Sequence, residues 1–134
     1  MNEFLNSWSP RILSVLRIIT GFLFLWHGSQ KLFDYPHSEV PMSGAFIVFA
    51  GCLEFFGGIL ILIGLFTRWT AFILSGMMAV AYFMAHAFNG KGFLPMAGGG
   101  NGGELAVIYC FVFFYLFFAG GGAWSVDHLI KKSA

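Results

Sequence analysis

Six side chains could move a proton or hold a ligand oxygen from positions otherwise surrounded by apolar residues: Arg17, His27, Lys31, Glu54, His86 and Glu104. Glu54 is the most telling. It lies near the middle of the apolar run Gly44 to Phe66, and a charge at the centre of a bilayer costs from about 3 to over 10 kcal/mol. A carboxylate there needs a counter-charge or a task. Arg17, Thr20, Phe24, His27 and Lys31 recur every three or four residues, so they form one stripe of a helix that must face other helices rather than lipid. At about 1.5 Å of rise per residue, the Arg17 backbone sits about 9 Å inside one membrane edge and Glu54 about 15 Å inside the other. A long arginine can span most of that gap, so an Arg17–Glu54 ion pair is expected. It would either tie the first helix to the second or make Glu54 a proton-accepting group balanced between burial and a cation.

His27 and His86 fall about one turn from the outer ends of the first and third apolar runs, and Glu104 opens the fourth at the same level. Four helices thus each bring a titratable group toward one cavity in the outer half of a bundle. Three chemistries could use that set. Two imidazoles and one or two carboxylates can hold zinc or iron, although no His-x-x-x-His spacing supports this within one helix. Two histidines on different helices can ligate a haem. A quinone or similar amphipathic ligand can be hydrogen-bonded at its carbonyls by His and Glu and packed by phenylalanine, of which the chain has 18. On the residues alone the three stay open; in the quinone case Glu54 and Arg17 would take the catalytic role, His27, His86, Glu104 and Lys31 would bind ligand, and there would be no metal ligands and no covalently bound cofactor. Cys52 and Cys110 stand alone, without a CxxC motif, and read as small hydrophobes.

The elements that must position these groups follow from composition. A chain that is 58% hydrophobic and 10% charged, with mean hydropathy +0.80, has too little polar surface for a water-soluble globule. Four runs can each cross about 30 Å of hydrocarbon as a helix: residues 12–33, 44–66, 69–88 and 105–123. A membrane barrel would need at least eight strands of alternating polarity, and these runs are apolar on every side. The expected fold is an all-α integral membrane protein, a bundle of four transmembrane helices forming one domain over residues 1–134. The first run carries Arg17 and His27 and lacks a small-residue cleavage site, so it is not read as a signal peptide. The net charge of +1 gives no basic stripe for nucleic acid.

Arg11, Arg68, Lys131 and Lys132 collect on one side and only Lys31 and Lys91 on the other, so the positive-inside rule puts both termini in the cytoplasm. Trp8, Trp69 and Trp124 would anchor that same interface. Outside the membrane, Asp34 to Ser43 reads as an ordered turn or a short re-entrant segment. Gly64 to Thr67 is a tight turn, and Asn89 to Gly103 is a glycine-rich loop or lid. Asn101 and Glu104 fit a capping box. Gly57, Gly58, Gly64 and Gly120 to Gly122 suit close helix contact. Ser125 or Asp127 starts a short interfacial turn, with Lys131 and Lys132 facing anionic lipid.

These motifs also form an ordered series: His27-Gly28-x-x-Lys31, Glu54-x-x-Gly57-Gly58, Gly64-Leu65-x-Thr67-Arg68, His86, Gly103-Glu104 and Trp124-Ser125-x-Asp127. From about Arg11 to about Leu129 the chain resembles the DoxX family of small four-helix bacterial inner-membrane proteins. That resemblance implies a multi-pass protein of the inner membrane, associated with quinone-linked oxidoreduction. The family name is shared with subunits of archaeal terminal oxidase and thiosulfate:quinone oxidoreductase complexes. The function expected is therefore a membrane subunit of a quinone-linked oxidoreductase system. It would have no redox centre of its own and would act with a redox partner protein, as a monomer or homo-oligomer. The alternative is a non-enzymatic assembly or transport protein that binds a small ligand or a client helix.

Overall fold

Long apolar segments can satisfy their own backbone donors and acceptors only as helices, and helices carry the chain. The computed structural model describes residues 1–39, 42–88, 90, 92–96 and 98–133; Lys91, one of the cations counted for orientation, lies outside them. Among the described residues there is no strand. The helices are α1 (Asn2–Phe33), α2 (Ala45–Ile63), α3 (Thr67–Ala81, continued by a π-helical turn Tyr82–Ala87), α4 (Glu104–Ala119) and α5 (Val126–Ser133). Three segments are long and apolar enough to cross a membrane, Asn2–Phe33, Ala45–Ile63 and Thr67–Ala87, and α4 is a shorter apolar helix.

The boundaries correct the sequence reading in three places. α1 begins at Asn2 rather than near Ile12 and runs through Pro10. α2 stops at Ile63, because Gly64 adopts the left-handed conformation (φ 74) and its N–H returns to the Ile61 and Leu60 carbonyls while Leu65 N–H reaches Leu60. α4 stops at Ala119, where Gly120 turns the chain at φ 83. Its 16 residues span only about 24 Å.

α1 packs most extensively on α2, and α3 on α4; α2 against α3 and α1 against α4 join the two pairs. The α1–α2 approach depends on missing side chains. A Cβ at Gly21 would stand 2.9 Å from the Gly58 carbonyl, and one at Gly58 would stand 2.9 Å from Leu25 Cα, so the two backbones touch. The core between the pairs is Phe24, Ile61, Ala71, Leu74, Met78, Tyr109, Phe113 and Leu116. Phe24 meets Phe113 edge-on with centroids 4.8 Å apart. Ser75 Oγ donates to the Cys110 carbonyl at 2.9 Å, and both cysteines are free.

Candidate functional site

Glu54 is 4% exposed, and its partner is Lys31, whose Nζ donates to Oε2 at 2.6 Å. The expected Arg17–Glu54 pair does not form. The local cause is Gly51, one turn before Glu54: a Cβ there would lie 2.9 Å from the Lys31 Cβ, so the bare backbone lets the lysine stem lie along α2 and carries its ammonium to the carboxylate. Gly28 works from the other side, since a Cβ there would run into the backbone of Glu54 and Phe55. Gly51-x-x-Glu54 opposite Gly28-x-x-Lys31 was the sequence signal for this pairing.

Two further polar groups adjoin the pair. The half-buried His27 ring stands edge-on to Tyr109 with centroids 5.9 Å apart, and Tyr109, 7% exposed, comes from α4. Lys31 acts electrostatically on His27, and Glu54 on Tyr109. Neither the His27 ring nor the Tyr109 hydroxyl has a hydrogen-bond partner among the described residues. An imidazole offers a donor and an acceptor, and a phenol can do either. Sequence reasoning missed Tyr109 because a tyrosine in an apolar helix looks like packing.

Arg17 is fully buried and has four carbonyl partners. Nε donates to Gly121 at 2.7 Å and Nη2 to Trp124 at 2.6 Å; Nη1 donates to Ile61 at 2.6 Å and also to Leu62. Two of those carbonyls end α2, where the negative pole of the helix dipole favours a cation. The others belong to the segment between α4 and α5. Asp127 supplies electrostatic attraction, while its own oxygens are taken at 2.8 Å each by the Phe66 and Thr67 N–H groups that open α3. Ser125 caps α5 by accepting the His128 N–H at 3.2 Å, as the sequence suggested for the start of that turn.

His86 and Glu104 belong to a different neighbourhood. His86 Nδ1 donates to the Asn101 carbonyl at 3.1 Å, and its ring lies stacked near Tyr82 with centroids 6.5 Å apart. Asn101, 4% exposed, organises the glycine-rich loop. Its Oδ1 accepts the Gly103 N–H at 2.8 Å, and its amide donates to the Gly92 carbonyl at 3.2 Å and to Tyr82 Oη at 3.3 Å. The N-cap of α4 is Gly103 without a side-chain cap, which replaces the expected Asn101–Glu104 capping box. Glu104 is the exposed first residue of α4. The structure therefore brings His27, Lys31 and Glu54 together with Tyr109 and leaves Arg17 apart from them, midway along α1 and bonded to the end of α2 and the segment after α4. Among the described residues, no group of three or more His, Cys, Asp or Glu side chains could hold a metal ion.

Comparison with known proteins agrees with the motif series. The DoxX family model matches residues 12–87. A Haemophilus influenzae protein is 43% identical over 96% of this chain and 97% of its own length. Escherichia coli inner membrane protein YqjF is 29% identical over 88% of this chain and 91% of its own length. Mycobacterium tuberculosis membrane protein Rv3486 is 27% identical over 97% of this chain and 88% of its own length. No solved structure matches. With its long apolar helices, the chain is a multi-pass protein of the bacterial inner membrane and belongs to the DoxX family.

Proposed function

We propose that the protein is a membrane subunit of a quinone-linked oxidoreductase system and binds a quinone or similar amphipathic ligand where α1, α2 and α4 meet. The observation that carries this reading is the pairing of a buried Lys31–Glu54 ion pair with two hydrogen-bonding groups, His27 and Tyr109, that have no hydrogen-bond partner among the described residues. That donor set fits a ring bearing two carbonyl oxygens. His27 and Tyr109 would hold the oxygens, Glu54 would accept or deliver a proton, and Lys31 would set its charge, the task first assigned to Arg17. Arg17 would position the site by fixing α1 against α2. His86 and Glu104 would form its outer polar rim beside the loop. A partner protein would supply the electrons. In this reading residues 1–134 are one domain, α4 is a fourth membrane-crossing helix, and both termini are cytoplasmic, as the excess of Arg11, Arg68, Lys131 and Lys132 at one end favours.

The test uses detergent-purified full-length protein. Organic extraction with mass spectrometry should recover quinone, and a short-chain ubiquinone or menaquinone analogue should raise the unfolding temperature of the wild type but not of His27→Phe or Tyr109→Phe. Finding no extractable quinone and no shift overturns the reading. Co-purification of a stoichiometric membrane protein without quinone would instead favour the assembly role.

A further inference from the structure

A cavity of about 600 Å³ opens at the end of the bundle away from the Lys31–Glu54 pair, between residues 9–13 of α1, the first turn of α3, the segment after α4 and α5. Arg68, His128 and Lys131 line it. Its one lining carboxylate among the described residues, Asp127, is already saturated by the Phe66 and Thr67 N–H groups, so the cavity presents net positive charge. Arg68 spends Nη1 on the Phe117 and Phe118 carbonyls at 2.9 and 2.6 Å. Its Nη2 and Nε lie beside Gly120, where a Cβ would stand 3.4 and 3.6 Å from them, and have no protein partner among the described residues. Lys131 has none either.

The second observation is Thr67, also in the lining. Its side chain is fully buried and Oγ1 has no hydrogen-bond partner among the described residues. A buried hydroxyl left unpaired is destabilising and rare. Thr67 packs against Gly121, where a Cβ would stand 2.9 Å from Oγ1, so only the bare glycine backbone covers the hydroxyl on that side. Leu13, Phe66 and Ile130 complete the lining with apolar surface.

We propose that this cavity binds the phosphoryl group of an anionic amphiphile. The free nitrogens of Arg68 and the Lys131 ammonium take its oxygens, the Thr67 hydroxyl donates to it, and its chains lie against Phe66 and Ile130. The shared chemistry is a phosphate with at least one negative charge, carried either by a lipid headgroup or by a free anion. The full chain in dodecyl maltoside would be titrated by native mass spectrometry with dioleoyl-phosphatidylglycerol, with dioleoyl-phosphatidylcholine and with inorganic phosphate. One phosphatidylglycerol should bind about tenfold more tightly than phosphatidylcholine. Lys131→Gln should weaken that binding about fivefold and leave the lipid-free unfolding temperature unchanged. Thr67→Val should weaken it too while raising the lipid-free unfolding temperature, because the unpaired hydroxyl is gone. Displacement of phosphatidylglycerol by inorganic phosphate identifies a free anion as the occupant of the same site, and failure to displace identifies the lipid. Equal affinity for the two lipids, or phosphatidylglycerol binding unchanged in both variants, overturns the proposal.

Discussion

At the scale of single residues, the ion-pair partner of Glu54 decides what substitutions do. Glu54→Gln leaves Lys31 without its charge partner and should cost about 2–3 kcal/mol, below the about 3–5 kcal/mol of a fully buried pair because the lysine is partly exposed. Adding Lys31→Met should recover most of that loss, whereas adding Arg17→Met should deepen it; equilibrium unfolding in mixed micelles of the two double variants separates the cases. Arg17→Lys should cost about 3 kcal/mol or more, since one ammonium cannot replace a guanidinium fork bonded to four carbonyls. The sequence made Arg17 and Glu54 conspicuous but hid their partners. Carbonyl oxygens, which every residue carries, leave no mark in a sequence, and Lys31 looked like an interfacial cation at a helix end. Outside the membrane, Asp34 accepts the Ser38 N–H at 3.1 Å and pairs with His37 at 2.6 Å. Those bonds, the backbone one first, hold its carboxyl below the usual aspartate value. With the folded-state value depressed, the turn gains stability above about pH 4 and loses it as pH falls through the lower folded value. The protection factor of the Ser38 amide, taken against its intrinsic exchange rate, should therefore fall in acid, and Asp34→Asn should abolish that pH dependence.

At the scale of elements, the helices were legible because apolar runs of this length have one solution in lipid, whereas their ends depended on contacts the sequence does not display. α3 starts at Thr67 because Asp127, sixty residues later, satisfies its first two N–H groups. Asp127→Ala should cost about 1–2 kcal/mol as loss of an N-cap equivalent, and should appear as fraying at Phe66 to Trp69 by hydrogen exchange. Asp127→Glu should restore only part. The glycines read as contact residues on α2 do pack closely, yet their counterpart Gly21 on α1 escaped notice because one glycine in an apolar run carries no pattern. Gly58→Leu should separate α1 from α2 and lower stability by about 3 kcal/mol or more, as overpacking against backbone leaves no side chain able to yield. The glycine-rich loop was recognised as a loop, but its organiser, Asn101, had been assigned to capping α4.

At the scale of the whole molecule, the bundle is asymmetric. One end holds His27 and Tyr109, whose polar groups have no hydrogen-bond partner among the described residues, and the other is tied together by hydrogen bonds among α1, the α2–α3 turn and the segment leading into α5. The proposed orientation predicts that, in a cysteine-free background, Ser38→Cys reacts with a membrane-impermeant maleimide in spheroplasts while Ser133→Cys reacts only after lysis; the reverse pattern would invert the topology. The hydrogen-bonded end also bears on how the protein is made. Arg17 finds two of its acceptors 104 and 107 residues later, at Gly121 and Trp124, and the Gly64 carbonyl waits for the Asp127 N–H at 2.9 Å. The earlier helices can enter the membrane and pack before those residues exist, but until then Arg17 has only its Ile61 and Leu62 acceptors. Synthesis of the segment after α4 thus completes the anchoring of the first helix, and a chain cut short after α4 should be inserted, incompletely latched and readily degraded.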